Sequence, residues 1–472
     1  MKNLAQKGLP AFLLFPLLFL FGLSPGSAEV LTPTSPMVGV KIYEYSGSFP
    51  KLFDEWRSLG INTAFVGAGL GANPEFKALA KKNGITTFLI FPVFFDAAAL
   101  DKDSGLFAVD SNGKRAEDDW VKFVCPTRED YRGRKIEDAK RLVREVDPDV
   151  LSLDFMRFFV FWEKVYPGRT PATLPNTCFD ASCLEAFQME MDVRIPADLA
   201  NSGTAAKAEW VLANHAPEWT EWKCRTIAKM VRLLAAAARE IKPSIKINIH
   251  TVPWREGDFQ GGIETIAGQD LVRLAPLVDY ISPMCYHHMV RQTPGWVHSV
   301  VQDVHDRSRG KVLPSIQVDK AYIEDLYSLA QFKEAMTEAL KSPSLGVVFW
   351  SWDALNKAPE RKEALKAVQD RHGPFSAPAA SLPSQNPAAQ EEAGPQDEAK
   401  IVPGAIIVDL IEAHVPGEEG DNERDRGDEA VPQPQEKTGN MPLLAGSLLG
   451  IVGAGGAARA EKDENKNSQN RQ

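Results

Sequence analysis

Val150-Leu-Ser-Leu-Asp154 is a short run, apolar apart from one serine, that ends on a carboxylate and continues as Phe155-Met-Arg-Phe158. A strand this apolar is read as buried on both faces, as in a parallel sheet covered by helices. A charged residue at its C-terminal tip then falls where the loops of such a fold build a site. Outward from this run the same unit recurs. Apolar, β-branched segments at 38–43, 63–66 and 86–94 precede it, and segments at 245–250, 280–286, 312–318 and 346–350 follow. Between them lie stretches of helical periodicity. The first carries Leu52, Phe53, Trp56 and Leu59 and stops at Gly60; the others fall at 74–83, 131–146, 218–241, 271–277, 296–308, 329–341 and 360–371. Eight repeats of strand and helix predict an α/β fold over 33–373, a (β/α)8 TIM barrel rather than an open doubly wound sheet. More than sixty residues separate strand four from its helix, and this insertion is expected to cover the mouth as a lid or binding wall.

The flanks read differently. Lys2 and Lys7 precede an apolar run from Ala11 to Leu23, and small residues follow as far as Ala28, the order of a secretory signal over 1–28. Pro, Ala, Ser, Gln and Glu dominate 374–440, a linker composition with too little apolar surface to order itself. Residues 441–458 carry no charge and are followed by Arg459, Lys462, Lys466 and Arg471. Two readings stand for 441–460, a membrane anchor or sorting segment and plain disorder, with 461–472 a polar tail. The expected location is secreted or at the cell envelope. A net charge of −10 and a pI near 5.5 argue against nucleic acid as a partner. Five cysteines among 472 residues make no disulfide scaffold. Cys178 and Cys183 are expected to close a short loop by a disulfide, Cys285 to be a core residue, and a metal site at Cys178, Asp180, Cys183 and Cys224 is disfavoured for want of a Cys-x2-Cys spacing. No metal and no cofactor is expected.

In a barrel, polar and aromatic residues at strand C-terminal ends are the functional candidates. They are Glu44 and Tyr45 after strand one, Asp96 after strand three, Asp154 and Arg157 after strand four, and His250 and Trp254 after strand five. Tyr286, His287 and His288 follow strand six, Asp319 and Lys320 strand seven, and Trp350, Trp352 and Asp353 strand eight. Paired carboxylates are what glycosidic cleavage needs, one to protonate the leaving oxygen and one to attack or stabilise the oxocarbenium centre. Tryptophan and tyrosine faces suit sugar rings, and Arg and His suit their hydroxyls. No Gly-x-Ser-x-Gly, phosphate loop or His-Glu-x-x-His occurs, which removes the nucleophilic-hydrolase, nucleotide and zinc-protease readings. Adjacent His287 and His288 would point to opposite sides of an extended segment and make a poor metal pair.

Asp149 to Phe158, preceded by Val124-Cys-Pro-Thr127, resembles the glycoside-hydrolase-like barrels whose fourth strand reads D-G-I-x-x-D-Y-x-R-[FY]. Tyr280-Ile-Ser-Pro-Met-Cys-Tyr286 and Val347-Val-Phe-Trp-Ser-Trp352 are similar to the same group, and more distantly to chitinase-type glycosidases. The resemblance implies a catalytic role for Asp154 and an orienting or sugar-binding role for Arg157. The chain departs from the chitinase type at Met156, where those enzymes carry their acid Glu, and at Ser152, where they carry an Asp. That mechanism is therefore not expected. Asp319, facing strand four across the mouth, is the expected second carboxylate, with Glu44 next and then Asp96 and Asp353. The expected function is an exported glycoside hydrolase acting on a polysaccharide. The alternative is a non-catalytic carbohydrate-binding barrel at the envelope.

Overall fold

The parallel ladder begins at β1 (Met37–Ile42) and proceeds through β2 (Thr63–Val66), β3 (Thr86–Pro92), β4 (Val150–Asp154), β5 (Lys246–Thr251) and β6 (Tyr280–Pro283) to β7 (Ser315–Gln317) and β8 (Gly346–Trp350). The computed structural model describes residues 36–372. The expected signal segment, linker, anchor and tail lie outside the described residues. Each strand pairs in parallel with its sequence neighbour from β1 to β6, β8 pairs with both β1 and β7, and the ring closes between β6 and β7 through isolated bridges at Ile281 with Val312 and Met284 with Ser315. This is the (β/α)8 barrel expected from the eightfold repeat. No helix among the described residues is long and apolar enough to cross a membrane.

Three strands are shorter than their apolar runs. β3 ends at Pro92 rather than at residue 94, although the Val93 amide still donates to the Asp154 carbonyl at 2.9 Å. Pro314 delays β7 to Ser315, while its carbonyl still accepts from the Val348 amide at 2.9 Å. After Pro283 the chain turns tightly, with amides of Cys285, Tyr286 and His287 each bonded to the carbonyl two residues back, and Tyr286 lies beyond the strand.

Helices α1 (Phe49–Ser58), α2 (Pro74–Lys82), α3 (Glu129–Val146), α4 (Ala216–Ile241), the short α5 (Leu271–Leu274), α6 (Gly295–Ser308), α7 (Leu329–Ala339) and α8 (Pro359–His372) surround the strands. Their starts are set by local chemistry: Asn73 caps α2 through its side-chain oxygen, and Ser328 and Gln331 form a reciprocal capping box on α7. Their apolar stripes and the outward strand residues make the main core, in which Trp56 and Trp352 meet edge to face at 5.8 Å.

Inside the barrel the lower layer is apolar. Met37, Phe65, Phe88, Ile90, Val150, Leu313 and Val348 fill it, and the rings of Phe65 and Phe88 stack at 4.2 Å. The layer above is polar. The Asn248 amide donates to Ser152 Oγ at 2.8 Å, Ser282 Oγ donates to Asn248 Oδ1 at 2.8 Å, and Ser152 Oγ lies 2.9 Å from His250 Nε2. These bonds link Ser152, Asn248, His250 and Ser282 into one buried network, in which His250 Nδ1 has no hydrogen-bond partner among the described residues. It carries the strand tips at one end of the barrel.

At the β8 start, Gly346 has a φ of +151°, and a Cβ there would meet the Met37 carbonyl oxygen at 1.9 Å. Gly346→Ala is therefore expected to destabilise the chain by about 2–4 kcal/mol and lower its melting midpoint. Thermal unfolding by circular dichroism measures this, and a midpoint equal to that of the parent would contradict it.

Candidate active site

β4 delivers Asp154 to the mouth, its side chain nearly buried and Oδ1 accepting the Phe155 amide at 2.8 Å. The chain then leaves the barrel in a segment of about sixty residues before α4, and the first part of that segment folds back over the strand tips. It brings Arg157 and Glu163 to a narrow cleft that Asp154 also lines, together with Lys41, Tyr43, Trp120, Tyr286, Tyr322 and Trp350. Arg157 is buried, with its guanidinium 4.9 Å from the Phe155 ring centre and 5.2 Å from that of Phe123. Lys41 rises from the inward face of β1 and donates to the Tyr286 hydroxyl at 3.1 Å.

Burial and charge set the protonation states. Burial is the main cause that pushes the Glu163 carboxyl up to about 7, the nearby Arg157 cation pulling the other way. Glu163 Oε2 is buried with no hydrogen-bond partner among the described residues. Burial also lowers the Lys41 ammonium to about 8, although Asp154 and then Glu163 oppose the shift. His250, below the cleft, is lowered to about 3, first by burial and then by Lys41, so its imidazole is neutral. The cleft thus holds one carboxyl that can carry a proton near neutral pH, Glu163, and a second acidic side chain, Asp154.

Flat apolar faces border these groups. Tyr286 and Trp350 stack at 4.7 Å with 18° between ring planes, and Trp120 donates its indole N–H to the Tyr322 hydroxyl at 3.0 Å. A second groove is lined by residues close in sequence to those of the cleft. Its lining includes Val165, Trp254, Asp258, Val290 and Gln292, whereas Glu163 and Met289 line the cleft itself.

Of the sequence candidates, the structure brings Asp154, Arg157, Tyr286 and Trp350 together and sets His250 beneath them. The others go elsewhere. Asp319 is exposed and lies 3.5 Å from Arg361, because the chain leaves the ladder at Gln317. Glu44 is exposed, and Tyr45 packs on Phe49 at 5.8 Å. Asp96 caps a short helix at the Ala99 amide and accepts from the Tyr131 hydroxyl. Trp352 starts a helix and is turned into the core, with Asp353 exposed beside it. Trp254 packs on Phe259 in the second groove. His287 and His288 are buried against Tyr327 and line no part of the cleft.

Lys41, Glu163, Trp120 and Tyr322 were not among the sequence candidates. Lys41 had a signal, a charge at an inward position of an otherwise apolar strand, Val38-Gly-Val-Lys-Ile42. Glu163 sits in the insertion, where no periodicity fixes direction. The expected Cys178–Cys183 disulfide is not formed; all five cysteines are free and buried.

No family model and no curated protein matches the chain. Its fold is similar to solved glycosidase barrels. The PgaB (BpsB) glycoside hydrolase domain from Bordetella bronchiseptica superposes with a TM-score of 0.55 at 13% identity, over 71% of this chain and 98% of that one. A β-galactosidase from the psychrophilic Marinomonas ef1 gives 0.52 at 12% identity, over 71% of this chain and 59% of that one. The shared property is the (β/α)8 barrel fold.

Arg157→Met should raise the Glu163 titration midpoint above about 7, since it removes the cation that favours the carboxylate. Infrared or carbon NMR titration reads this directly, and an unchanged or lowered midpoint would remove Arg157 from the electrostatics of the site.

Proposed function

We propose that the chain is an exported glycoside hydrolase that cleaves a polysaccharide, with Glu163 as general acid and Asp154 as nucleophile or general base. One observation carries the reading: Asp154 and Glu163 line a single aromatic cleft, and burial keeps the Glu163 carboxyl protonated near neutral pH. The pair replaces the one expected from sequence, in which Asp319 or Glu44 would have faced Asp154. Protonation of the leaving oxygen by Glu163 and charge stabilisation by Asp154 satisfy the two needs of the reaction. Arg157 and Lys41 supply N–H donors for sugar hydroxyls. Trp350, Trp120 and Tyr322 give the ring faces on which a pyranose stacks. The second groove, lined by Gln292 and Asp258, is assigned to further units of a polymeric substrate. Export rests on the basic and apolar order of residues 1–28.

Asp154→Asn and Glu163→Gln should each lower kcat by about 10²–10⁴ while glycan binding persists. Reducing-sugar release from a polysaccharide panel measures the rate, and calorimetry the binding. Equal binding by all three proteins with no release by the parent would establish the alternative, a carbohydrate-binding barrel without catalysis. Because the acid must carry its proton, kcat/KM is expected to fall as pH rises through about 7. A profile flat from pH 6 to 9 would exclude Glu163 as that acid.

Gln292→Ala should raise KM for long oligosaccharides roughly 2- to 10-fold, the worth of one hydrogen bond, and leave short ones unaffected. Steady-state kinetics on a ladder of chain lengths tests this, and an equal effect at every length would detach the second groove from the substrate.

A further inference from the structure

Distant in sequence, Cys125 and the segment Cys178-Phe-Asp-Ala-Ser-Cys183 meet beside the barrel. Cys125 closes the loop that follows β3, and Cys178, Asp180 and Cys183 stand at and before the first turn of the helix Ala181–Met191 in the β4 insertion. All four side chains are buried, and their three sulfurs and one carboxylate oxygen lie within 4.8 Å of one another. Cys125 Sγ is 3.3 Å from Cys183 Sγ. Thiolates around a tetrahedral zinc at about 2.3 Å stand about 3.8 Å from each other, so an ion fits at the centre of this group after small shifts.

The carboxylate is the independent sign. Asp180 Oδ1 accepts the Cys183 amide at 2.7 Å and caps the helix, whereas Oδ2 is buried and has no hydrogen-bond partner among the described residues. The Arg128 guanidinium forms an ion pair with it at 3.6 Å, beyond hydrogen-bond reach. A buried carboxylate oxygen left without a hydrogen bond beside three thiols is what a ligand awaiting a cation looks like. The surroundings also suit bound thiolates. The Val109 amide donates to Cys178 Sγ at 3.3 Å, and Thr127 Oγ1 lies 3.1 Å from Cys125 Sγ and 3.2 Å from Cys183 Sγ. Cys224, on α4, is not part of the group.

We propose that Cys125, Cys178, Asp180 and Cys183 bind one soft divalent metal, Zn²⁺ by ligand type, as a closed structural site. Three thiolates and a carboxylate fill four positions and leave none for substrate, which marks a structural rather than a catalytic ion. On binding, the three thiols release their protons and form three metal–sulfur bonds, with no change of oxidation state. The ion staples the β4 insertion to the β3 loop. The insertion carries Arg157 and Glu163, and the Phe159 amide already bonds to Thr177 Oγ1 next to Cys178, so the staple fixes the wall of the cleft. The proposal stands apart from the glycosidase reading and needs no turnover to test.

The full chain, purified without chelator, should contain about one Zn²⁺ per molecule by elemental analysis. Replacement by Co²⁺ should give thiolate-to-metal charge-transfer absorption and the intense visible bands of a tetrahedral site. Cys178→Ser and Cys183→Ser should lose the metal, while Cys224→Ser keeps it. A chelator should lower the melting midpoint of the parent, and added Zn²⁺ should restore it. Because a cysteine variant can fail to fold, the parent decides on its own: a chain that takes up neither Zn²⁺ nor Co²⁺ overturns the proposal. So does non-reducing mass analysis that finds a disulfide between any two of Cys125, Cys178 and Cys183.

Discussion

Four ionisable side chains, Lys41, Asp154, Arg157 and Glu163, are gathered over the barrel mouth, and among the described residues no ion pair within 4.0 Å joins any of them to another. Each is therefore held near its opposites without being spent in a direct salt bridge. Burying a charge is costly unless it is compensated, and here two cations face two carboxyls across a small space. The displacement of the Glu163 carboxyl from 4.5 to about 7 corresponds to a cost on the order of 3 kcal/mol for its ionised form. The polar floor of Ser152, Asn248, His250 and Ser282 exists to support this cluster, because an apolar layer directly beneath it would leave the charges without dipoles.

How far the sequence could be read follows from which residues remain inside the ladder. β2, β4 and β8 start and stop where their apolar runs do, and Asp154 and Trp350 point inward by the alternation of their strands. Beyond the last paired residue that alternation no longer applies. Asp319 follows β7 by two residues and faces solvent, and Trp352 follows β8 by two and is carried into the helix layer. Both were chosen from their distance to a strand end, which locates a residue at the mouth but does not aim it. Glu163 was out of reach for the opposite reason. Its direction is set by tertiary packing of Trp162 on Tyr286 at 5.7 Å, a contact between residues more than a hundred positions apart.

The cysteines show the same limit of spacing. Cys178 and Cys183 are separated by four residues, too many for the familiar two-residue motif and about right for a small loop, and sequence alone favoured a disulfide. What decides the matter is Cys125, which arrives from the other side of β4. Fold likeness to glycosidases at 12–13% identity reaches the barrel but not these particulars.

The insertion between β4 and α4 has a bearing on how such a chain changes over generations. The segment from Phe155 to His215 packs on the mouth through Trp162 and on α4 through Phe158, Phe179 and Phe187, so it shares one core with the barrel. Glu163 belongs to this segment and Asp154 to β4. Under the proposed reading the acid and its partner therefore lie on separate stretches of chain, and a change within the insertion can remove or replace the acid while the strand pairing stays as it is.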